Sequence, residues 1–457
     1  MDEPTINDWL DRHHVERIRT HATTLDSIDI GKYVNRPKFV GTLQNGHSIS
    51  DMALAMDVSG SPHLTFWHDF RTAHLGDIHL KPDLDTLIWD GIDPNLGHCI
   101  CEFVTTSGEE ISLCPRTLLR RMTNEIATLG YEVKATFELE FFLYNNSFDS
   151  ARRRGYRDLE PVTATTMQSI YHARNAYRAK PFMDEVIKRL EWQRLEWESW
   201  NDEGGLGQIE LNFPPADPVT AADRLCRVRQ LMYEVAVDLD MSVTFMAHPS
   251  PGYSSGLHIH HSLVDTDCNP AFVDDNGRTP LLLNWIGGVL ETIRGSTSVL
   301  CPTINSYRRL SEFSAPPVTQ TWGEENKSAA LRVISHTKNA ARIEHRLAAS
   351  DANPYLALAF ILAGGLAGLK HELEPPEELN ILGWGLPDDY ERLPRTILKA
   401  AEALDMDDYL KEIIGEDVVE YWINSRKWEW LSFHTSGADP DSSHTTDWEY
   451  ERYFELI

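Results

Sequence analysis

The stretch Phe137-Glu138-Leu139-Glu140-Phe141 alternates apolar and acidic residues. Because successive side chains of a β-strand point to opposite faces, this period of two predicts a strand with both carboxylates on one face. A strand with one solvated face would show the same alternation, since exposed acidic residues are common. The role of these acids therefore depends on what neighbouring segments bring beside them.

Two other segments place candidate ligands at short spacings. Glu203 and Glu210 lie on either side of a glycine-rich turn that leads into a strand, which is also what a plain hairpin with surface acids would look like. His258 and His260 share one face of a predicted strand. Imidazole is the commonest neutral metal ligand, although paired histidines on a strand can simply form hydrogen bonds.

A fourth segment surrounds Glu344 with positive charge, because Arg342 and Arg346 share its strand face. The three side chains form either an ion-pair ladder or a metal ligand beside two clamps for phosphate or carboxylate, which the planar guanidinium matches. More positively charged residues lie nearby in the sequence, at Arg308, Arg309, Lys327 and Arg332. This concentration in an acidic protein predicts an anionic substrate.

The candidate ligands are mostly carboxylates, with one or two histidines and no cysteine. Oxygen ligands favour hard cations such as Mg²⁺ or Mn²⁺ over structural zinc. Carboxylates beside arginines are typical of phosphoryl transfer, in which metals neutralise phosphate oxygens and guanidinium groups hold the transferred group. The sequence contains no GxxxxGK[ST] loop, so a nucleotide would be held in another way.

Bulk properties exclude several classes of protein. The chain has 457 residues and a formal net charge of -28, which would repel nucleic acid and anionic membrane surfaces. The longest apolar run, Tyr355 to Leu369, is shorter than the roughly 20 residues that span a bilayer. The cysteines form no CxxC pair and are expected to be reduced and mostly buried, and the acidic start has no signal-peptide pattern. We expect a cytoplasmic protein.

Periodicity and turn signals divide the chain into a small mixed domain and, from about Pro115, a larger domain of alternating helices and strands. The predicted helices are Ile6 to His13, Arg116 to Leu129, Pro181 to Ser199, Pro218 to Asp238, Leu281 to Arg294 and Asn353 to Leu369. The predicted strands are Val15 to Thr23, His98 to Val104, Lys134 to Tyr144, Gly207 to Phe213, Ser242 to His248, Gly256 to Val264 and Ala341 to Leu347.

In this order and spacing, the segments resemble the glutamine synthetase family over nearly the whole chain. Further landmarks are Asp77 to Asp83, Pro115-Arg116, Leu119 to Arg121, Ser255 to His258, Asn305 to Leu310 and Asn353 to Leu356. The resemblance implies an α+β fold, with an N-terminal β-grasp domain (1–108) and a catalytic domain shaped as a half-barrel of antiparallel sheet with helices (109–457). It also implies a homo-oligomer of stacked hexameric rings, a dodecamer, with sites between neighbouring subunits.

The resemblance assigns a role to each candidate residue. It implies two Mg²⁺ or Mn²⁺ ions per site, one held by Glu140, Glu203 and Glu210 and the other by Glu138, His258 and Glu344. Arg332 and Lys327 would contact the phosphates of ATP, and His260 and Ser262 would lie on the nucleotide side. Arg309 and Arg346 would hold the carboxylates of the substrate. The implied reaction activates a side-chain carboxylate as an acyl phosphate, which an amine then attacks.

Three positions depart from the family pattern. Tyr253-Ser254-Ser255-Gly256 stands where the family has Asn-Gly-Ser-Gly, so residues that position the amino-acid end of glutamate are replaced. Ala315 stands where the family has a flap glutamate that helps to deprotonate ammonium, and Lys327 replaces an arginine. The family's ammonium-site aspartate has no identified counterpart in Phe66 to Asp77.

The segments Trp322 to Asn326 and Asn305 to Arg309 look more like the branch of the family that joins glutamate to polyamines than like glutamine synthetase proper. The leading hypothesis is an ATP-dependent ligase that forms a γ-glutamyl amide from glutamate and an organic amine such as putrescine, in polyamine and nitrogen metabolism. Glutamine synthetase proper, with ammonia as the amine, is the first alternative. A catalytically inactive structural or regulatory member and a metal-dependent hydrolase are the others, although retention of the like-charged ligand positions argues against an inactive scaffold.

Overall fold

The computed structural model describes residues 3–63, 75–163, 170–250 and 252–456. Its helices are α1 (Glu3–Arg12), α2 (Arg36–Val40), α3 (Pro115–Thr128), α4 (Phe148–Arg153), α5 (Ala173–Trp192), α6 (Pro218–Asp238), α7 (Pro280–Glu291), α8 (Ile293–Leu300), α9 (Pro354–His371), α10 (Ile397–Asp405), α11 (Asp408–Ile414), α12 (Glu416–Thr435) and α13 (Asp447–Tyr453). Its strands are β1 (Arg17–Thr23), β2 (Asp29–Asn35), β3 (His47–Ser50), β4 (Asp77–Pro82), β5 (Ile88–Trp89), β6 (Leu96–Val104), β7 (Tyr131–Tyr144), β8 (Ser199–Asp202), β9 (Gln208–Asn212), β10 (Ser242–Thr244), β11 (Leu257–Asp265), β12 (Val273–Asp274), β13 (Gly277–Arg278), β14 (Trp322–Glu324), β15 (Leu331–Ile334) and β16 (Arg342–His345). The α+β prediction is confirmed.

The first sheet contains the N-terminal strands in the order β2-β1-β6-β4-β3, with β5 also paired to β6. β1 and β6 run parallel, and the other pairs are antiparallel. Apolar residues around Phe39 and around Phe103 form two small cores of their own. Residues 66–74 of the segment searched for an ammonium-site aspartate lie outside the described residues. The domain boundary at 108 stays a prediction.

The second sheet has the order β14-β15-β16-β11-β7-β9-β8, and β10 pairs with the far end of β7. β7 is central and antiparallel to both β9 and β11. Its apolar residues Phe137, Leu139 and Phe141 are buried in the main core, beneath helices α3 and α6. The predicted alternation on β7 is therefore the alternation between this core and the opposite, acid-bearing face.

Helix α9 is long and apolar enough to cross a membrane by composition, but 83% of its apolar window is buried inside the protein. It begins at Asn353, whose side chain accepts hydrogen bonds from the backbone N–H groups of Tyr355 and Leu356. Helix α7 packs so closely on it that a Cβ atom at Gly288 would overlap the α9 backbone. This helix is a core element, as its length in the sequence indicated.

Most predicted helices and strands are present, but the helix predicted at Pro181 to Ser199 was placed wrongly. Helix α5 begins at Ala173 and contains Pro181 in its interior. The proline removes a hydrogen bond to the carbonyl of Tyr177, a residue 73% exposed to solvent, where water can replace that bond. The helix ends before Arg194, which has φ 57°, and Ser199 already belongs to β8. All six cysteines are free and all except Cys268 are buried, as expected.

Candidate active site

Strand register brings the candidate ligands onto one face of the second sheet. Glu138 of β7 lies opposite His258 of β11, and Glu140 lies opposite Glu210 of β9. On the other side of β11, His260 lies opposite Glu344 of β16. Because side chains alternate along each strand, these register pairs put the acids and histidines on the same side of the sheet.

Glu138, His258 and Glu344 form a compact group in which one ligand atom of each residue lies within 4.8 Å of the others. His258 Nδ1 is 3.1 Å from Glu138 Oε2 and 3.7 Å from Glu344 Oε1. Two carboxylates and an imidazole at these distances are a donor set that suits a divalent cation. The structure thus brings together the three residues that the sequence assigned to one metal.

Glu140, Glu203 and Glu210 form the second acidic group. Glu140 Oε2 accepts hydrogen bonds of 2.8 Å from both Gln208 Nε2 and the backbone N–H of Gly256. Glu203 accepts a backbone hydrogen bond from Gly204. Within the described parts of the chain, neither Glu203 nor Glu210 has a basic group within ion-pair distance.

The two groups of acids differ electrostatically. Burial, reinforced by Glu210, raises the pKa of Glu203 to about 7, and burial with the neighbouring acids Glu203 and Glu210 raises the pKa of Glu140 to about 7 despite the proximity of His258. Burial would also raise the pKa of Glu138, but the hydrogen bonds and charges of His258 and His260 lower it overall. Within the described residues, the only ion pair of the group Glu140, Glu203 and Glu210 joins Glu140 Oε1 to His258 Nε2 over 3.8 Å, so this group is less well neutralised than Glu138.

Glu344, like Glu138, has basic groups beside it. Arg332 Nη1 donates a hydrogen bond to Glu344 Oε2 over 2.9 Å, and Arg346 donates to Oε1. Burial would raise the pKa of Glu344, but the charges of Arg346 and His258 lower it. Arg332 also donates to Glu325. Two of the predicted phosphate and carboxylate clamps thus converge on one metal-site acid.

Arg309 is buried yet forms no ion pair among the residues that the structure describes. Its Nη1 donates to the carbonyl of Leu347 over 2.7 Å, and its Nε has no hydrogen-bond partner. Its Nη2 lies against Gly256, where a Cβ atom would be 3.0 Å away. A buried guanidinium with unused donors beside Glu140 suits a carboxylate ligand.

A cavity of about 570 Å³ opens beside Glu138 on the side away from Arg309. His260, Ser262, Phe213 and Arg342 are among the residues that line it. Arg342 Nε donates to His260 Nδ1 over 3.1 Å, so His260 carries its proton on Nε2 and donates it to Glu138 Oε1 over 2.9 Å. The cavity is large enough for a nucleotide-sized ligand.

Sequence reasoning missed several contacts that shape this site. Gln208 bonds to Glu140, but its sequence neighbours gave no sign of that contact. Arg342 was visible in the Arg-Glu-Arg alternation, although its partner His260 was not. Tyr253 packs on the glycine turn, where a Cβ atom at Gly204 would collide with its ring. That contact joins two segments separated in sequence, so no local pattern predicts it.

Two predicted residues lie at the edge of the site. Lys327 is exposed and lies close enough to Glu210 to oppose the rise in the pKa of that acid. Ala315 is exposed in the loop that follows Arg309, near Ser314, whose hydroxyl donates to the Arg309 carbonyl over 3.2 Å. The loop carrying the altered flap residue is thus attached to the buried arginine.

Known proteins similar to this chain agree with one another in family and fold. The family model described as glutamine synthetase, catalytic domain, matches residues 112–453. A glutamate–isopropylamine ligase from a Pseudomonas species is 29% identical over 462 residues, 99% of this chain and 98% of that protein. The γ-glutamylethanolamide synthetase GlnA4 of Streptomyces coelicolor is 29% identical over 382 residues, 84% of this chain and 80% of that protein. A solved structure described as a GmaS/ADP complex aligns with a TM-score of 0.83 at 24% identity, covering 98% of both chains, which supports the overall fold.

Proposed function

This chain belongs to the glutamine synthetase family and is an ATP-dependent ligase that forms γ-glutamyl amides, and we propose that the amine it joins to glutamate is organic, such as putrescine, rather than ammonia. The relatives named for isopropylamine and ethanolamide products support an organic amine. Putrescine would place the enzyme in polyamine metabolism, within the nitrogen metabolism of the cytoplasm.

The observation that carries the choice of amine is the site's altered rim. Tyr253 covers Gly204 and Gly205 with an aromatic ring beside Glu203, and the family's flap glutamate is replaced by Ala315. An ammonium ion needs acidic groups around it, whereas an alkylamine also gains from burying its carbon chain against an aromatic face. Loss of one acid and gain of one ring favour the alkylamine.

The six ligands fit two divalent cations. Glu140, Glu203 and Glu210 would hold one ion, because burial and neighbouring acids raise the pKa values of all three and a bound cation would offset both effects. Glu138, His258 and Glu344 would hold the other. When bound, Mg²⁺ or Mn²⁺ would neutralise phosphate oxygens during transfer.

The remaining residues would bind and orient the substrates. His260 and Ser262 line the cavity that would take the nucleotide, and the fixed tautomer of His260 presents a known hydrogen-bonding pattern to it. Arg332 and Lys327 would contact the phosphates. Arg309 and Arg346 would hold the carboxylates of glutamate, leaving its side-chain carboxylate to take the γ-phosphate of ATP. The amine nitrogen would then attack the acyl carbon and lose a proton. The bond between the acyl carbon and the phosphate oxygen breaks, and phosphate leaves.

The proposal is tested by phosphate release from ATP with glutamate and Mg²⁺ or Mn²⁺, comparing ammonium with a panel of methylamine, isopropylamine, ethanolamine and putrescine. We expect turnover with one or more organic amines to exceed turnover with ammonium by at least about tenfold in kcat/KM. Turnover with ammonium alone would instead identify glutamine synthetase proper. Absence of Mn²⁺ and ATP binding in calorimetry would identify an inactive member.

We propose a homo-oligomer of stacked hexameric rings, on the basis of the family resemblance. Sedimentation of the purified protein measures this directly, and a mass of one or two chains would contradict it.

A further inference from the structure

The short 3-10 helix Asn305–Arg309 presents different residues to its two sides. With three residues per turn, Asn305 and Arg308 share one face, and Arg309 lies on the next face. Arg309 points to the sheet, where it bonds to the carbonyl of Leu347 and lies against Gly256. Any rotation of this helix about its axis would therefore move the Arg309 guanidinium relative to the acidic ligands.

Asn305 and Arg308 also form hydrogen bonds to backbone atoms of His248 and Ser442, but the carboxylate that they share is Glu449 of α13. It is 0% exposed and accepts hydrogen bonds from Arg308 Nε over 2.6 Å, Arg308 Nη2 over 2.8 Å and Asn305 Nδ2 over 3.0 Å. A two-pronged, charge-assisted contact fixes direction as well as distance. Glu449 thus supplies the charged contact that helps to fix the rotation of the helix that carries Arg309.

Glu449 is itself fixed by the start of α13. Its Oε2 accepts from the backbone N–H of Thr446 over 2.8 Å, and the Thr446 side chain caps the Glu449 backbone in a reciprocal capping box. On the other side, Ser306 donates to the buried Asp351 over 2.8 Å. The 3-10 helix is therefore clamped between the body of the domain and the C-terminal helix.

We propose that Glu449 is a positioning residue for Arg309, so that the C-terminal helix sets the affinity of the site for its carboxylate substrate. This inference rests on the proposed function, in which Arg309 holds a carboxylate of glutamate. Glu449 touches neither substrate nor metal in this arrangement. Its effect on catalysis passes through Arg308 and the turn of the 3-10 helix.

The test compares Glu449→Gln, which keeps size and removes the charge, with the control Glu455→Gln. Glu455 also lies near the C-terminus and accepts hydrogen bonds from Arg152 and Tyr156, neither of which belongs to the 3-10 helix. We expect Glu449→Gln to raise KM for glutamate about tenfold or more while kcat and KM for ATP change less than about threefold. Glu449→Asp, which keeps the charge, should recover most of the affinity, and Glu455→Gln should match the wild type.

A uniform loss of activity that follows a fall in Tm, or an unchanged KM for glutamate in a folded variant, would overturn the proposal. If Glu449→Gln does not fold, Arg308→Lys provides the same comparison, because it keeps the positive charge and loses the two-pronged contact. Wild-type enzyme that releases no phosphate with any amine would refute the proposed function instead. In that case calorimetric binding of glutamate to wild type and Glu449→Gln still tests the positioning role.

Discussion

Individual carboxyls in the candidate site differ in how their charge is balanced. Glu138 and Glu344 have histidines and arginines beside them, whereas burial and the charges of neighbouring acids raise the pKa values of Glu140, Glu203 and Glu210. Burying like charges close together costs stability. This cost agrees with the proposal that the second group binds a cation.

Replacing Glu203 by Gln should weaken Mn²⁺ binding by about tenfold or more, because the number of charged ligands sets the affinity of oxygen sites. Titration calorimetry with MnCl₂ measures this. The control is Glu132→Gln at the exposed start of β7, where the Glu132 side chain accepts a hydrogen bond from Lys134. Equal Mn²⁺ affinity in Glu203→Gln and wild type would exclude Glu203 as a ligand.

At the scale of elements, helix α11 begins at a cap whose charge is unfavourable. Asp407 accepts from the backbone N–H of Leu410 over 2.9 Å, but burial raises its pKa to about 7 from an ordinary value of 3.8. Between these two pH values the unfolded chain has released this proton and the folded chain still holds it. Stability is therefore lost as pH rises from about 4 to about 7.

Asp407→Asn should remove this pH dependence, since asparagine caps a helix equally well and carries no charge. We expect the gain in unfolding free energy over wild type to be larger at pH 8 than at pH 5 by about 1–2 kcal/mol. Urea unfolding at the two pH values tests this. Asp217→Asn, at the exposed cap of α6, is the control and should show the same small difference at both pH values.

Elements with strong local signals were predictable from the sequence. Pro218 to Asp238 is the helix predicted, because Asp217 caps it, Pro218 starts it and apolar residues recur along it. The alternation on β7 also predicted the acid-bearing face. Helix α5 was misplaced because local rules treat an internal proline as a helix start. The contacts of Gln208 with Glu140 and Tyr253 with Gly204 depend on the tertiary arrangement, which no local pattern encodes.

At the scale of the whole molecule, a buried ion pair joins the two ends of the chain. Asp26, in the turn between β1 and β2, accepts hydrogen bonds from Arg426 of α12 and from His63 Nε2 over 2.9 Å. Burial would raise the pKa of Asp26, but the charge of Arg426 and the hydrogen bond of His63 lower it to about 2. Its contribution to stability is present above about pH 4 and is lost as pH falls towards 2.

Asp26→Asn should destabilise the protein by about 3 kcal/mol at pH 7, because it leaves Arg426 buried without its counter-charge. Thermal or urea unfolding measures the change. The control is Asp11→Asn, which breaks the exposed pair of Asp11 with Arg36 and should change the free energy of unfolding far less. If both substitutions lower the free energy of unfolding equally, the buried pair of Asp26 and Arg426 contributes no more to stability than an exposed pair does.

The register of β7 has a consequence for how the protein is made. Its partners β9 and β11 come from separated parts of the chain, and β16, which pairs with β11 and carries Glu344, comes last. A ribosome therefore releases the Glu140–Glu210 half of the site long before Glu344 can reach His258. Contacts between distant segments form slowly. Until β11 and β16 are made, the acids of β7 and β9 have none of the histidine and arginine neighbours that surround Glu138 and Glu344 in the folded protein.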